Sequence, residues 1–383
     1  MSNQAQNSNV KSKKIIWIII ICFFAVLSPV LGWVAFKSIT NSGSFVLSDV
    51  KNEAANILKK PFSENKSESK NETETCSNLK GTSPKGINCA RRNIDGVYVE
   101  PGQENFYPIA AIIENHIDAQ PPSALSRANL VIEAEAEGGI TRFLAVYADG
   151  SEIKEIGPIR SARPYFVDWA RELSALFIHC GGSPEALVKI ARENVFDLNE
   201  FYNGTYFWRG KSRPAPHNVY TSTENLNGYL ENKKAGEGKY LSWQFKDDAA
   251  LPEGEIGKNV KIKFKTPDYY VDWVYDRESN GYIRYLAGQM HKDADGTEIT
   301  AKNVAVMYVK AEVIDDESRL KMQHIGSGKA IVCLDGKCEE GRWEKKSGSA
   351  RIRFYAGDNE EFKFNAGAAW IEAVRPEREV VVE

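Results

Sequence analysis

Along this chain the apolar residues fall first into one long block and later into short runs, each closed by glycine, proline or a charged phrase. The long block, Ile15–Phe36, is 22 residues without a charge, enough to cross a bilayer core that takes about 20. Between residues 100 and 250 the short runs alternate in type. Pro108–Glu114, Leu130–Ala134 and Arg142–Tyr147 have the length and side chains of strands, and Ala175–His179 reads as a buried one. Pro164–Leu173 predicts a helix with proline at its start, where a missing N–H costs little. A second helix is predicted after Gly181-Gly182, with Ser183 as N-cap, Pro184 at the first helical position and Glu185 in the first turn. This order predicts an α/β (α+β) domain over residues 96–250, a mixed sheet with helices packed on it. From about Val260 the text changes to Tyr, Trp, Val and Lys in alternation. Turns are signalled at Ser279–Gly281, Asp295-Gly296, Gly326–Gly328, Asp335-Gly336 and Ala356-Gly357. A smaller β-rich domain over 258–383 follows, with the Lys-, Glu- and Gly-rich stretch Asn232–Gly257 as the junction.

The flanks of the long block set its orientation. Lys11, Lys13 and Lys14 precede it and only Lys37 follows closely, so residues 1–14 are expected in the cytoplasm and everything after the span outside. Ser28–Trp33 makes a poor signal-peptidase site, and Cys22 follows Ile19-Ile20-Ile21 rather than the small residues that precede a lipidated cysteine. The block is therefore read as an uncleaved transmembrane helix, 15–36. Residues 37–95 read as a disordered tether: Glu64–Thr75 is polar, mixed in charge and free of apolar periodicity. A flexible coil of about 50 residues would hold the folded part roughly 40 Å from the membrane. Asn65 and Asn71 begin glycosylation sequons, triplets that arise often by chance.

A net charge of −3, with no basic stripe interleaved with aromatics, argues against a nucleic-acid partner. Five cysteines lie outside the span. Cys333 and Cys338 flank Asp335-Gly336, a favoured two-residue hairpin turn, which sets them opposite each other at a non-hydrogen-bonded position suited to a cross-strand bridge. Cys76 and Cys89 are placed to close a second small loop, and Cys180 is left as a buried free thiol. None has Cys-x-x-Cys spacing, so no zinc site, and no cofactor, is expected.

Four polar phrases carry the candidate chemistry: Glu137–Arg142, Gly157–Arg163, His179–Pro184 and Pro216–Asn218. Each closes a predicted strand or occupies a tight turn. Arg142, Arg160 and Arg163 offer planar, permanently charged forks for carboxylate or phosphate. Gly181, Gly182 and Ser183, at the start of a helix, offer backbone N–H groups to an anion. Ser161 and Asn218 add neutral polar contacts. His179, Glu137 and His217 are candidate catalytic groups, His217 on a loop stiffened by prolines. The alternative for each is structural: His179 as a satisfied core residue, Ser183 as a cap, and the arginines paired with Glu133, Glu135, Glu137 or Asp168. Asn115-His116, after the first strand, is a weaker case of the same kind.

At these phrases the chain resembles a known group. Ala128–Phe143, Gly157–Tyr165, His179–Ser183 and Ala215–Asn218, then Trp273–Tyr282, Thr300–Val304, Gly326–Ala330 and Ala369–Glu372, look like the YerB-like family of bacterial surface proteins, domain of unknown function 3048. The likeness covers about 100–376 and implies a cell-envelope location. Many relatives are lipoproteins, whereas this sequence departs in carrying an apparent membrane span. The order strand, strand, Pro-x-Arg phrase, helix, strand, Gly-Gly, helix is also similar to LytR-CpsA-Psr phosphotransferases, with Arg160 near their arginine motif and Cys180–Gly182 near their glycine pair. Their Arg-Asp pairing is absent, since Ser161 follows Arg160.

Three readings follow. The first is a membrane-anchored module binding an anionic wall ligand or peptidoglycan in an Arg/His cleft. The second is a wall-polymer transferase or hydrolase. The third is a scaffold for wall-synthesis proteins.

Overall fold

The computed structural model describes Cys76 and residues 88–383. The expected span 15–36, most of the 37–95 tether and both sequons lie outside the described residues. Among the described residues no helix is long and apolar enough to cross a membrane.

Four strands of the first stretch form where the apolar runs predict them, β1 (Ile109–Glu114), β2 (Leu130–Glu137), β3 (Ile140–Tyr147) and β4 (Leu176–His179), and a short fifth, β5 (Asp197–Asn199), is not predicted by them. The helices are α1 (Pro164–Arg171), α2 (Pro184–Arg192) and α3 (Thr223–Asn232). The second stretch adds β6 (Val260–Lys263), β7 (Tyr270–Asp276) and β8 (Gly281–Leu286), then β9 (Asn303–Tyr308), β10 (Gly326–Leu334) and β11 (Lys337–Lys345). It closes with β12 (Arg353–Ala356), β13 (Ala369–Val374) and β14 (Glu379–Val382).

A ten-stranded mixed sheet runs in the order β12-β11-β10-β9-β13-β2-β3-β1-β4-β5. The two stretches thus share one sheet. β13 lies parallel to β2, with Ile371 opposite Ile132, and parallel to β9 on its other edge. All six residues of β13 are buried, so its backbone groups need ladder partners on both sides. β2 from the first stretch supplies one of them.

Alternation sorts the strand residues between two cores. Ala110, Ile112, Leu130, Ile132, Leu144 and Ile371 pack on Phe166 and Trp169 of α1 and Ala186 and Ile190 of α2. Ile113, Val131, Phe143, Val306 and Trp370 face the other way, onto a second, six-stranded sheet carrying Val260, Ile262, Val271 and Trp273.

Between the sheets lies a buried charge cluster. Glu372 of β13 is in register with Glu133 of β2, and Arg284 of β8 reaches down between them. All three side chains are fully buried. Arg284 Nη2 donates to Glu133 Oε2 at 2.5 Å, and Nη1 meets His291 Nδ1 at 2.6 Å. The guanidinium also lies 5.0 Å from the Trp370 ring and 5.5 Å from the Phe143 ring. Trp273 Nε1 donates to Glu372 Oε1 at 2.8 Å, while Glu372 Oε2 has no donor. Burial, then repulsion from Glu133, lifts the Glu372 pKa well above the carboxylate range, against the pull of Arg284. Glu372 is accordingly held toward its protonated form.

The Asp335-Gly336 turn has both residues at positive φ, as a type I′ turn requires. Leu334 faces Lys337, and Cys333 faces Cys338 in a disulfide with Cα atoms 4.1 Å apart. A second disulfide joins Cys76 to Cys89, and Cys180 is a buried free thiol.

Candidate functional site

Strands β1, β4 and β5 are mutually parallel, and β2 runs with them because two antiparallel steps separate it from β1. Their C-terminal ends therefore line one rim of the sheet, the edge where open α/β sheets place ligands. Glu114, Glu137, His179 and Asn199 are the last residues of these strands. The Gly157–Arg163 segment folds over the same rim: Arg160 N donates to Ile112 O at 2.8 Å, and Cys180 N donates to Arg160 O at 3.1 Å. The four polar phrases thus gather on the rim.

What each side chain does there differs. Glu137, after a bulge in β2 and before the Gly138-Gly139 turn at positive φ, holds two arginines. Arg163 reaches it through Nη2 at 2.6 Å and Nε at 3.0 Å, and Arg142 pairs with its other oxygen. Burial alone would raise the Glu137 pKa, but the two guanidinium groups hold it below the usual carboxylate value. A carboxylate so held is a weak base. Arg142 is fully buried, and burial together with Arg163 pushes its pKa down to about 10 against the pull of Glu137. Its Nη1 donates to Ser161 O at 3.1 Å, so Ser161 enters through its backbone.

His179 is a satisfied core residue, with Nδ1 2.7 Å from Gly181 O and Nε2 3.0 Å from Asp197 Oδ2. The α2 start is likewise occupied. Gly181 N donates to Asn199 Oδ1, Ser183 N to Ala162 O, and Ala186 N to Ser183 Oγ. Gly182 packs tightly against Ala162, where a Cβ would come within 3.2 Å. Asn218 braces its loop, donating to Gly210 O and Arg213 O while accepting from Arg209. The Cys180 thiol donates to Glu200, and burial with that carboxylate raises its pKa to about 12. It is no nucleophile at neutral pH.

Arg160 and His217 are placed differently. Arg160 Nε donates to Glu114 Oε1 at 2.8 Å. Among the described residues its two terminal nitrogens have no partner, and the side chain is 23% exposed. His217 Nδ1 meets the other oxygen of Glu114 at 3.0 Å, and its ring stacks on His116 with centroids 4.7 Å apart. The loop carrying His217 is clamped by Arg213, which donates to Tyr220 Oη at 2.8 Å and Pro121 O at 2.6 Å. Glu114 is nearly fully buried and joins the two groups.

The other acids named in the sequence reading serve elsewhere. Glu133 pairs with Arg284, Glu135 with Arg378, and Asp168 with His324, Lys189 and Arg171. Sequence reasoning passed over Glu114 and Asp118 and gave His116 little weight. The available signal was the alternation Glu114-x-His116-x-Asp118 directly after a strand. Two recesses of about 500 and 660 Å³ lie away from these rim residues.

Among known proteins, two family models match the chain in succession. The N-terminal domain of a protein of unknown function (DUF3048) matches residues 96–236, and its C-terminal domain matches 260–371. A curated relative, YerB of Bacillus subtilis (strain 168), whose name assigns it provisionally to the lipoproteins, is 32% identical over 289 residues, or 73% of this chain and 85% of the relative. The crystal structure of the YerB protein from Bacillus subtilis aligns with a TM-score of 0.68 at 28% identity, covering 76% of this chain and 99% of that one.

Proposed function

The chain belongs to the YerB-like DUF3048 family, and on that premise we propose that it is a membrane-attached protein of the bacterial cell envelope, folded outside the cell, that binds an anionic wall-related ligand at Arg160. Residues 15–36 serve as its single-pass anchor in this reading. The name of the Bacillus relative supports the envelope location. So do the two disulfides, since such bonds persist in oxidising compartments.

The observation that carries the ligand reading is the open fork of Arg160. Of the three arginines singled out from the sequence, Arg142 and Arg163 are committed to Glu137 and to backbone carbonyls. Arg160 alone of the three keeps two terminal nitrogens without a partner among the described residues, the geometry that takes a phosphate or carboxylate side-on. Glu137 neutralises only one of the two guanidinium groups it holds, and the surplus charge is close enough for Arg142 and Arg160 to repel.

The test is retention of the full-length, detergent-solubilised chain on purified peptidoglycan carrying its anionic polymer, with thermal unfolding as the check on fold. Retention should fall as salt rises. Arg160→Ala should weaken it about 10- to 100-fold, the value of a charge-assisted hydrogen-bonding group. Arg160→Lys, which keeps the charge beside Glu114 but not the fork, should recover only part of it. Equal retention by all three folded proteins would refute the reading, and so would none by the wild type. Polymer cleavage or transfer lost in His217→Ala would favour an enzyme instead.

A further inference from the structure

We propose that His116, Asp118 and His217 bind a divalent transition-metal ion of the zinc class at the rim. The inference stands apart from the anionic-ligand reading and rests on which atoms face one another. One ligand atom from each residue lies within 4.8 Å of the others. His217 Nδ1 faces the Glu114 carboxylate, so that nitrogen carries the proton and Nε2 carries the lone pair. Nε2 in turn faces Asp118 Oδ2 at 4.0 Å. His116 Nδ1 accepts the Asp118 N–H at 3.2 Å, so it too is a lone-pair nitrogen, and it lies 3.6 Å from the same Oδ2. Two imidazole nitrogens and a carboxylate oxygen thus share one small space, with the ring planes 19° apart, so that one ring must turn for both lone pairs to meet at an ion. A cation is the group that reconciles them.

The distances suit an ion after small movements. Zinc bonds of about 2.0–2.1 Å in tetrahedral geometry set donors about 3.3 Å apart. The 3.6 and 4.0 Å separations to Asp118 need to close by less than an ångström, and the two imidazole nitrogens, within 4.8 Å of each other, by up to about 1.5 Å. Asp118 is 64% exposed and lies in the short turn Ile117–Ala119, so its carboxylate is free to swing inward. The ion takes over the His116 lone pair from the Asp118 amide.

The surroundings match those of a metal histidine. A ligating histidine commonly donates its other ring N–H to a carboxylate, which fixes the tautomer and raises basicity. Glu114, nearly fully buried and itself held by Arg160, does this for His217. Glu114 and Asp118 bring two carboxylates to the two histidines, and Arg160, paired with Glu114, brings one guanidinium, a balance that accommodates a dication. Two imidazoles and one carboxylate suit zinc and its neighbours rather than magnesium or calcium. Three protein ligands leave a fourth position open to water or an exogenous ligand.

The test uses the full-length, detergent-solubilised chain, stripped with a chelator and dialysed against Zn²⁺ or Co²⁺ alone. The expected result is about one ion per chain and a cobalt absorption spectrum with the intensity of a four-coordinate site. His116→Ala with His217→Ala should abolish both. Glu114→Gln should weaken binding about 10- to 100-fold while keeping the stoichiometry. Thermal unfolding without metal checks that each variant folds, and Asp118→Asn, an exposed and mild change, must also weaken binding. No bound ion in the wild type overturns the proposal. So does binding undiminished in the double histidine variant, which would put the ion elsewhere.

Discussion

Replacing Arg284 by methionine removes the cation that, alone among the described residues, lies between two buried carboxyl groups, and leaves an apolar chain of similar length in its place. Glu133 keeps the Thr141 hydroxyl at 2.6 Å and the Asn115 amide at 3.3 Å, both on Oε1, and loses its only partner on Oε2. Breaking a buried pair by removing one member costs about 3–5 kcal/mol, because the remaining charge is stranded. That range applies here, since all three side chains are fully buried, and burial, the larger of the two causes that disfavour a charge on His291, persists without Arg284. The cost should also depend on pH. Glu372 already favours its protonated form in the wild type; without the arginine, Glu133 loses the charge that offsets its burial and is driven toward protonation as well. The folded variant therefore holds protons that its unfolded chain releases above the ordinary carboxylate range, and its deficit grows as pH rises. Urea unfolding followed by tryptophan fluorescence, at about pH 5 and pH 8, reads both effects. A loss below about 1 kcal/mol, or a loss equal at the two pH values, would refute the account of the cluster.

Glu372→Gln should be mild, within about 1 kcal/mol near pH 5, because the amide replaces an acid that is already protonated. In the wild type the stability tied to that proton is complete below the ordinary value of 4.5 and is lost as pH rises from there toward the raised folded value. The glutamine variant should lack that decline, and a matched pH series of unfolding curves checks it. Removing the Cys333–Cys338 bridge with a double serine change should cost about 2 kcal/mol by the loop-entropy relation for a separation of five residues. Denaturation with and without reductant measures it.

Local chemistry made part of this structure readable in advance. The hairpin at Asp335-Gly336 was legible because positive φ at two successive residues restricts the sequence strongly, and the cysteine pairing followed from the register. The start of α2 was legible through Ser183 and Pro184. The placement of β13 between β9 and β2 was not, because parallel pairing across more than two hundred residues leaves no periodic trace. Arg284 and Glu133 are 151 residues apart, and His217 and Glu114 are 103 apart. No spacing rule links such residues. The rim itself was legible as four polar phrases at strand ends. Which arginine keeps an open fork depended on carboxylates that only the fold could assign.

The place of β13 in the sheet bears on how the protein is made. A chain synthesised N-terminus first presents β1 to β5 while residues 369–374 are still to come. Until then the outer edge of β2 has no partner, and an open edge of this kind invites pairing with another chain. Completion of the fold is therefore tied to release of nearly the whole polypeptide. The first stretch, although it matches a family model of its own, is a half-built sheet waiting for its centre.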